Sequence, residues 1–326
     1  MKSFFRVVVL LFSALSVFFQ CNGQNAAIKK HHHQSAVPSY KTVPFTTVNV
    51  GLDLLNFRNI DLATGSYDID CYLIFNCYPS CKYNDFEVMN GTTTLKHFEN
   101  GYTGHPHGVD YRYQAKLYKK FNLSKFPFDH HKLDLVLEDK ISDIHHLVYK
   151  VDASSTMIDQ YFAVNGWDFS PKWQAKVVNH NYPVFDQVYS RYIFDIIIFR
   201  PWLSSFLKFI VPGAMFFLAG FLALFMKPPQ VGDRLTLAAT AMVGSVIFHL
   251  AVTSTLPPLG YLTYFDSFMI ANYLCLLGAL IGPVTSHSFH HKGQIEAAIK
   301  VDRIFMGSIF MVWLLLQTYS AFSFFG

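Results

Sequence analysis

Residues 233–254 read DRLTLAATAMVGSVIFHLAVTS, and the rest of the chain is best understood outward from this stretch. Beyond its two opening charges the segment is apolar or small for about 20 residues, the length a helix needs to cross ~30 Å of hydrocarbon. Thr236, Thr240, Val243, Ile247, Leu250 and Ser254 follow one another at steps of four and three. A helix puts such positions on a single face. That face passes from hydroxyls through three aliphatic side chains to a last hydroxyl, while Ser245 and His249 fall on the opposite side, toward neighbouring helices. On the residues alone two readings stay open. Several copies around an axis would make the face the lining of a pore, with polar ends and an apolar constriction between them. A helix buried among others would leave the threonines bonding their own backbone. Asp233 and Arg234 fit a helix cap and a cytoplasmic anchor, and Asp233 is also placed to face the mouth of a pore.

Proline pairs bound the segment, Pro228-Pro229 before it and Pro257-Pro258 after it, and helices stop at such pairs. Residues 205–226, 266–285 and 303–324 also have the length and apolarity of membrane spans. The 326-residue chain is 52% hydrophobic and only 15% charged, with the apolar residues gathered in blocks, as in a mixed soluble and membrane protein. A net charge of +4 on so apolar a chain argues against a nucleic-acid partner. Lys227 and Arg234 lie in the first connection and Lys292, Lys300 and Arg303 in the third, whereas the second has no Lys or Arg. The positive-inside rule then puts the first and third connections in the cytoplasm. Residues 24–200 and the C-terminus are expected outside the cell (inner) membrane, periplasmic or extracellular. Lys2 and Arg6, the apolar run 7–19 and small residues near Cys21 and Gly23 read as a cleaved signal over residues 1–23, the alternative being an uncleaved anchor. Residues 24–43, with His31-His32-His33, read as a polar leader.

Between residues 44 and 200 the pattern changes. The runs 67–75 (YDIDCYLIF), 132–137 (KLDLVL) and 188–196 (VYSRYIFDI) alternate at period two and are rich in β-branched and aromatic residues. The expected fold is an all-β, immunoglobulin-like outer sandwich followed by an all-α bundle of four spans over residues 201–326. Outside the membrane Cys71, Cys77 and Cys81 are free to oxidise, and a Cys77–Cys81 bridge would leave Cys71 as a buried thiol. His105 and His107, His130-His131 and His145-His146 match no structural zinc spacing and read as solvated loop histidines. No nucleophile elbow, P-loop, HExxH or glycine fingerprint occurs, so neither an enzyme nor a cofactor is expected.

Phe126-Pro127-Phe128-Asp129, followed by a strand over 133–137, resembles the signature loop of the pentameric ligand-gated ion channels, the Cys-loop receptors. Gly166-Trp167-Asp168 resembles a strand start of that family, Arg200-Pro201 the end of its outer domain, and Pro212 the proline of its first span. Arg234-Leu235-Thr236 resembles the opening of its second span, and residues 256–266 (LPPLGYLTYFD) the connection that follows. These matches come in the family's order across residues 43–325, and the short third connection resembles the bacterial branch. Two departures are visible. The cysteines that name the family would fall at Lys119 and Leu133, and the stretch from Cys77 to Phe86 is too short for the usual Trp-bearing strand and loop, so the agonist pocket is expected to be altered or missing.

The resemblance implies a homopentamer in membrane lipid that passes monovalent cations in response to a small-molecule ligand or protons. Its pore would be lined by Asp233, Thr236, Thr240, Val243, Ile247, Leu250 and Ser254. Gly232-Asp233-Arg234 resembles the Gly-Glu-Lys motif of cation-selective members, and the Pro-Ala-Arg of anion-selective ones is absent. Arg234, turned about 100° from Asp233, is expected to point into the subunit interface or lipid headgroups. Asp61, Asp129 and Arg200, with Pro258 in the second connection, would couple sensor to pore, the arginine lying between two carboxylates. The hairpin over 179–186 corresponds to the family's capping loop, where Tyr182, Phe185 and Tyr189 with Tyr72 would form an aromatic cage for an ammonium group. The alternative is a non-conducting membrane-anchored sensory or binding protein of the same fold; a His-dependent metalloenzyme on a membrane anchor is more remote.

Overall fold

The computed structural model describes residues 46–78, 83, 85–99 and 108–325. The expected signal and leader, Cys81, His105 and His107, and most of the shortened stretch after Cys77 lie outside the described residues.

Among the described residues ten strands form two sheets. In one, β4 (Gly91–Glu99), β5 (Gly108–Tyr118), β2 (Ser66–Tyr78), β1 (Thr46–Asp61) and β7 (Leu147–Val151) are neighbours in that order, and β8 (Met157–Ile158) also pairs with β1. In the other the order is β3 (Phe86–Val88), β6 (His130–Asp139), β10 (Gln187–Phe199) and β9 (Asp168–Tyr182). Period-two alternation supplies the core between them. Val48, Val50, Leu52 and Leu54 on β1 and Tyr67, Ile69, Cys71, Leu73 and Phe75 on β2 point inward and are buried. Leu133, Leu135 and Leu137 on β6 meet them with Tyr192, Phe194, Ile196 and Ile198 on β10. A register shift between Leu54 and Asn56 moves β1 by one residue, so Phe57 also turns into the core. Cys71 is a free buried thiol, pushed well above the ordinary range by burial, and Cys77 is disulfide-bonded.

Four helices follow: α1 (Trp202–Phe225), α2 (Val231–Thr253), α3 (Tyr264–His291) and α4 (Ile295–Phe325). The first three are long and apolar enough to cross a membrane. In α1 the turn Phe206–Ile210 widens to π geometry just ahead of Pro212, whose ring cannot accept a regular turn on its N-terminal side. Gly213 and Gly220 bring α1 against α3; a Cβ on Gly213 would lie 2.6 Å from Phe268, and one on Gly220 would collide with Leu276. The contacts Phe268–Gln317, Asn272–Trp313, Cys275–Ile309 and Ser286–Asp302 show α3 and α4 running antiparallel. Asn272 is fully buried and ties three helices, donating to the Gly213 carbonyl (3.1 Å) while its Oδ1 accepts from Trp313 (2.7 Å) and Gln317 (3.3 Å).

Arg234 departs from expectation. It is fully buried inside its own chain, with Nε donating to the Ala223 carbonyl (2.9 Å) and the guanidinium forked onto Asp302 at 2.7 and 3.3 Å. Ser286 gives Asp302 a further hydrogen bond of 2.9 Å. The reason is solvation: inside a bundle a guanidinium finds a bidentate carboxylate and a spare carbonyl, which a bare lipid-facing position lacks. The helix also starts earlier than expected, so Gln230 occupies the cap position and Asp233 lies within the first turn, where the helix dipole favours a carboxylate. Asp302→Asn would leave the guanidinium buried and uncompensated, a loss of about 3–5 kcal/mol. Thermal scanning in detergent should show a markedly lower melting temperature, with Arg234→Met/Asp302→Leu recovering most of it; a wild-type melt for Asp302→Asn would remove this role.

Candidate functional site

Among the described residues, none covers the face of α2 expected to line a pore. Val243, Ile247 and Leu250 are 59, 62 and 63% exposed, and Asp233, Thr236, Thr240 and Ser254 are exposed with them. Arg234, Ala238, Ala241, Ser245 and Val252 occupy the buried side. His249 also faces inward, its Nε2 2.8 Å from Asp266 and its Nδ1 2.8 Å from the Tyr273 hydroxyl. Thr236 and Ser254 do bond their own backbone, to the Gly232 and Ala251 carbonyls at 2.9 Å each. Back-bonding and exposure coexist, so within this chain the face is not that of a buried helix. An apolar stripe between polar ends is free to meet other copies, lipid or water.

At the end of the bundle next to the sandwich the loop between β5 and β6 is stitched to the helices. Tyr264 N–H donates to the Ser124 carbonyl (2.8 Å), Phe265 N–H to that of Phe126 (3.1 Å), and the Tyr261 hydroxyl accepts from Leu123 N–H (2.9 Å). Phe126 packs on Phe209 of α1 and Phe265 of α3, and Phe128 on Tyr264 and on Phe325 of α4. Beside this seam the β1–β2 turn faces the α2–α3 connection across a cavity of about 790 Å³ lined by residues 62–65 and 257–261, Pro258 among them.

The residues expected to couple sensor to pore take a different arrangement from the one expected. Asp129 is 1% exposed; its Oδ1 accepts from Arg200 Nε (2.7 Å) and its Oδ2 lies 2.6 Å from His131 Nε2. Arg200 stacks over Trp167 and Phe126 at 4.3 and 5.2 Å. Asp61 instead accepts from Thr64 and Ala63 within its own turn, bonds that hold its carboxyl below the ordinary range. One carboxylate between arginine and histidine replaces one arginine between two carboxylates, because the side chain of Asp61 is consumed by its turn. Burial raises the Asp129 carboxyl, but the His131 hydrogen bond and the Arg200 charge outweigh it and hold it below the usual range. His131 is therefore no solvated loop histidine. Its signal was available, since it falls in phase with Leu133, Leu135 and Leu137 on the inward side of β6.

The aromatic candidates do not converge in one chain. Tyr182 and Tyr189 pack edge to face at 5.6 Å on the β9–β10 hairpin, and Phe185 lies 69% exposed in its turn. Tyr72 is on the other sheet under the Arg112 guanidinium, 4.8 Å away. The Tyr182 hydroxyl donates to buried Glu138 (2.8 Å), which also accepts from Arg191 Nε (2.6 Å), so a guanidinium already occupies the charged partner of this corner. Among the described residues no three His, Cys, Asp or Glu side chains are placed to hold a metal ion.

A depressed carboxyl stabilises the fold fully above its unfolded value, ~3.9, and the contribution is lost as pH falls through the lower folded value. Asp129→Asn should therefore melt below wild type near neutrality, and the two melting temperatures should converge on acidification below about pH 4. A constant gap between them down that range would show that the carboxylate is not what Arg200 and His131 stabilise.

No protein-family model matches the chain. Over 215 residues it is 23% identical to a proton-gated ion channel of Gloeobacter violaceus, a stretch covering 66% of this chain and 59% of that protein. The chain thus spans less than two thirds of the length of the curated relative it matches. That likeness, a β-sandwich leading into an apolar helical bundle, and the motifs in order from Phe126-Pro127-Phe128-Asp129 to residues 256–266 all support the chain's resemblance to the pentameric ligand-gated ion channels of the bacterial type.

Proposed function

We propose that five copies of this chain assemble in the membrane as a channel for monovalent cations, gated by a stimulus on the outer domain. The observation that carries the proposal is the uncovered face of α2, three aliphatic positions between polar ones. A membrane helix that faced only lipid would gain nothing from Asp233, Thr236, Thr240 and Ser254 along that stripe. Around a five-fold axis the aliphatic rings form a constriction that sheds water when narrow and conducts when widened. The Asp233 ring lies at one mouth, and Arg234, neutralised by Asp302, leaves its negative potential unopposed there. The four helices take up the membrane with the sandwich outside. The seam of residues 123–128 against Tyr261, Tyr264 and Phe265 carries movement of the sandwich to the outer end of α2.

Protons are the proposed stimulus. The Gloeobacter relative is a proton-gated ion channel. Imidazole is the side chain whose ordinary range lies at mildly acidic pH, and this chain sets His131 against Asp129 at the junction and His249 against Asp266 between α2 and α3.

The purified full chain in planar bilayers under a NaCl gradient tests the proposal. Stepping the outer side from about pH 8 to about pH 4, across the ordinary histidine and carboxyl ranges, should evoke a current that reverses near the sodium potential. Reversal near the chloride potential would overturn the selectivity, and Asp233→Ala should weaken it. A flat pH response in a channel opened by another stimulus would overturn proton gating. Val243→Ser should let water into the constriction and give leak at neutral pH; a variant that assembles and is as silent as wild type there would displace the gate from Val243.

A further inference from the structure

The triplet Asn-X-Ser/Thr occurs as Asn90-Gly91-Thr92 and again as Asn122-Leu123-Ser124. It is the pattern at which oligosaccharide is attached to asparagine in secreted domains. The fold treats the two copies differently. Asn90 lies in the β3–β4 turn with its side chain spent on β6, Nδ2 donating to the Asp134 carbonyl (2.7 Å) and Oδ1 accepting from Val136 N–H (3.1 Å). Its backbone is held as well, since its carbonyl accepts from Tyr118 N–H (2.7 Å) and a Cβ on Gly91 would collide with the Lys116 carbonyl. Asn122 lies exposed in the loop between β5 and β6. Its Oδ1 accepts from Ser124 N–H (3.0 Å), which closes an Asx turn. Its Nδ2 and the Ser124 hydroxyl make no hydrogen bond to another described residue. Leu123 between them is fully buried, with its N–H on the Tyr261 hydroxyl (2.9 Å). The turn thus leaves the amide nitrogen and the hydroxyl of the triplet on offer while the residue between them is anchored.

We propose that Asn122 is an acceptor for an N-linked glycan and that Asn90 is not. The donor is an oligosaccharide carried on a lipid pyrophosphate. A bond forms from Asn122 Nδ2 to the anomeric carbon of the first sugar as the bond from that carbon to the pyrophosphate oxygen breaks. The lipid pyrophosphate leaves with the electron pair, and Nδ2 gives one proton to the transferase. The amide nitrogen is a weak nucleophile because its lone pair is shared with its carbonyl, so it must be free to turn out of its resting hydrogen bonds. At Asn90 both ends of the amide are fixed to β6, whereas at Asn122 only the oxygen is held, and by the triplet itself. The disulfide at Cys77 fits passage of the sandwich through an oxidising compartment. The inference rests on the orientation that puts the sandwich outside the membrane and not on ion conduction.

Translation of the full chain into rough microsomes, read by gel mobility before and after endoglycosidase H, tests it. Wild type should carry one glycan. Asn122→Gln and Ser124→Ala should each abolish it, and Asn90→Gln should leave it in place. Glycosidase release in heavy-oxygen water should label position 122 and not position 90. Pro183→Ser, which gives exposed Asn181 a hydroxyl two residues on, should add a second glycan and so reports that the sandwich is lumenal. Wild type without a glycan while Pro183→Ser carries one overturns the acceptor and leaves the orientation standing. Absence of glycan from both overturns the orientation and the proposal with it. Two glycans on wild type, or one lost in Asn90→Gln and kept in Asn122→Gln, overturns the choice between the two triplets.

Discussion

A single buried carboxylate, Asp129, joins the two halves of this chain. It accepts from Arg200, the residue that leads from the last strand into α1, and lies against His131 at the start of β6. A charge that is 1% exposed persists only if its lone pairs are satisfied, and here two basic side chains satisfy them while Trp167 and Phe126 shield the guanidinium. The consequence is positional. Phe126 and Phe128, next to Asp129 in the loop, are held where they meet Phe209, Phe265, Tyr264 and Phe325 from three helices. Strand end, loop and bundle share one fixed point.

Inside the bundle apolar packing alone discriminates poorly, because hydrocarbon tails are as apolar as leucine. Specificity comes from a few buried polar hubs. Asn272 ties α1, α3 and α4; Arg234 and Asp302 tie the start of α2 to α4; His249 and Asp266 tie α2 to α3 near the sandwich. These hubs fix the rotation of α2. Once Arg234 and Ser245 are turned inward, the stripe from Asp233 to Ser254 has no direction left but outward. The face that the proposed channel uses is the remainder after the buried face is chosen.

The β-sandwich shows the limit of a motif. The capping hairpin is present, with Tyr182 and Tyr189 in contact, but Arg191 and Glu138 fill its charged corner and Tyr72 stands on the opposite sheet. Aromatic residues are common in this chain, and an aromatic near a loop in sequence carries no information about which sheet face it takes.

Much of the architecture was legible in the amino-acid order because it rests on local periodicities. Alternation at 67–75, 132–137 and 188–196 determined strands and their inward sides, and the stepped positions of 236–254 determined which α2 residues share a face. The alternation of β6 extends one residue earlier and turns His131 inward as well. Polar partners could not be read this way. Arg234 and Asp302 are 68 residues apart, Asp129 and Arg200 71, and no period links them. Which carboxylate an arginine takes depends on which one the fold leaves unsatisfied: the turn consumed Asp61 and burial left Asp129 in need of a cation. Secondary structure and facing follow from spacing along the chain, whereas ion pairs between distant segments follow from desolvation, which exists only once the tertiary structure has closed around them.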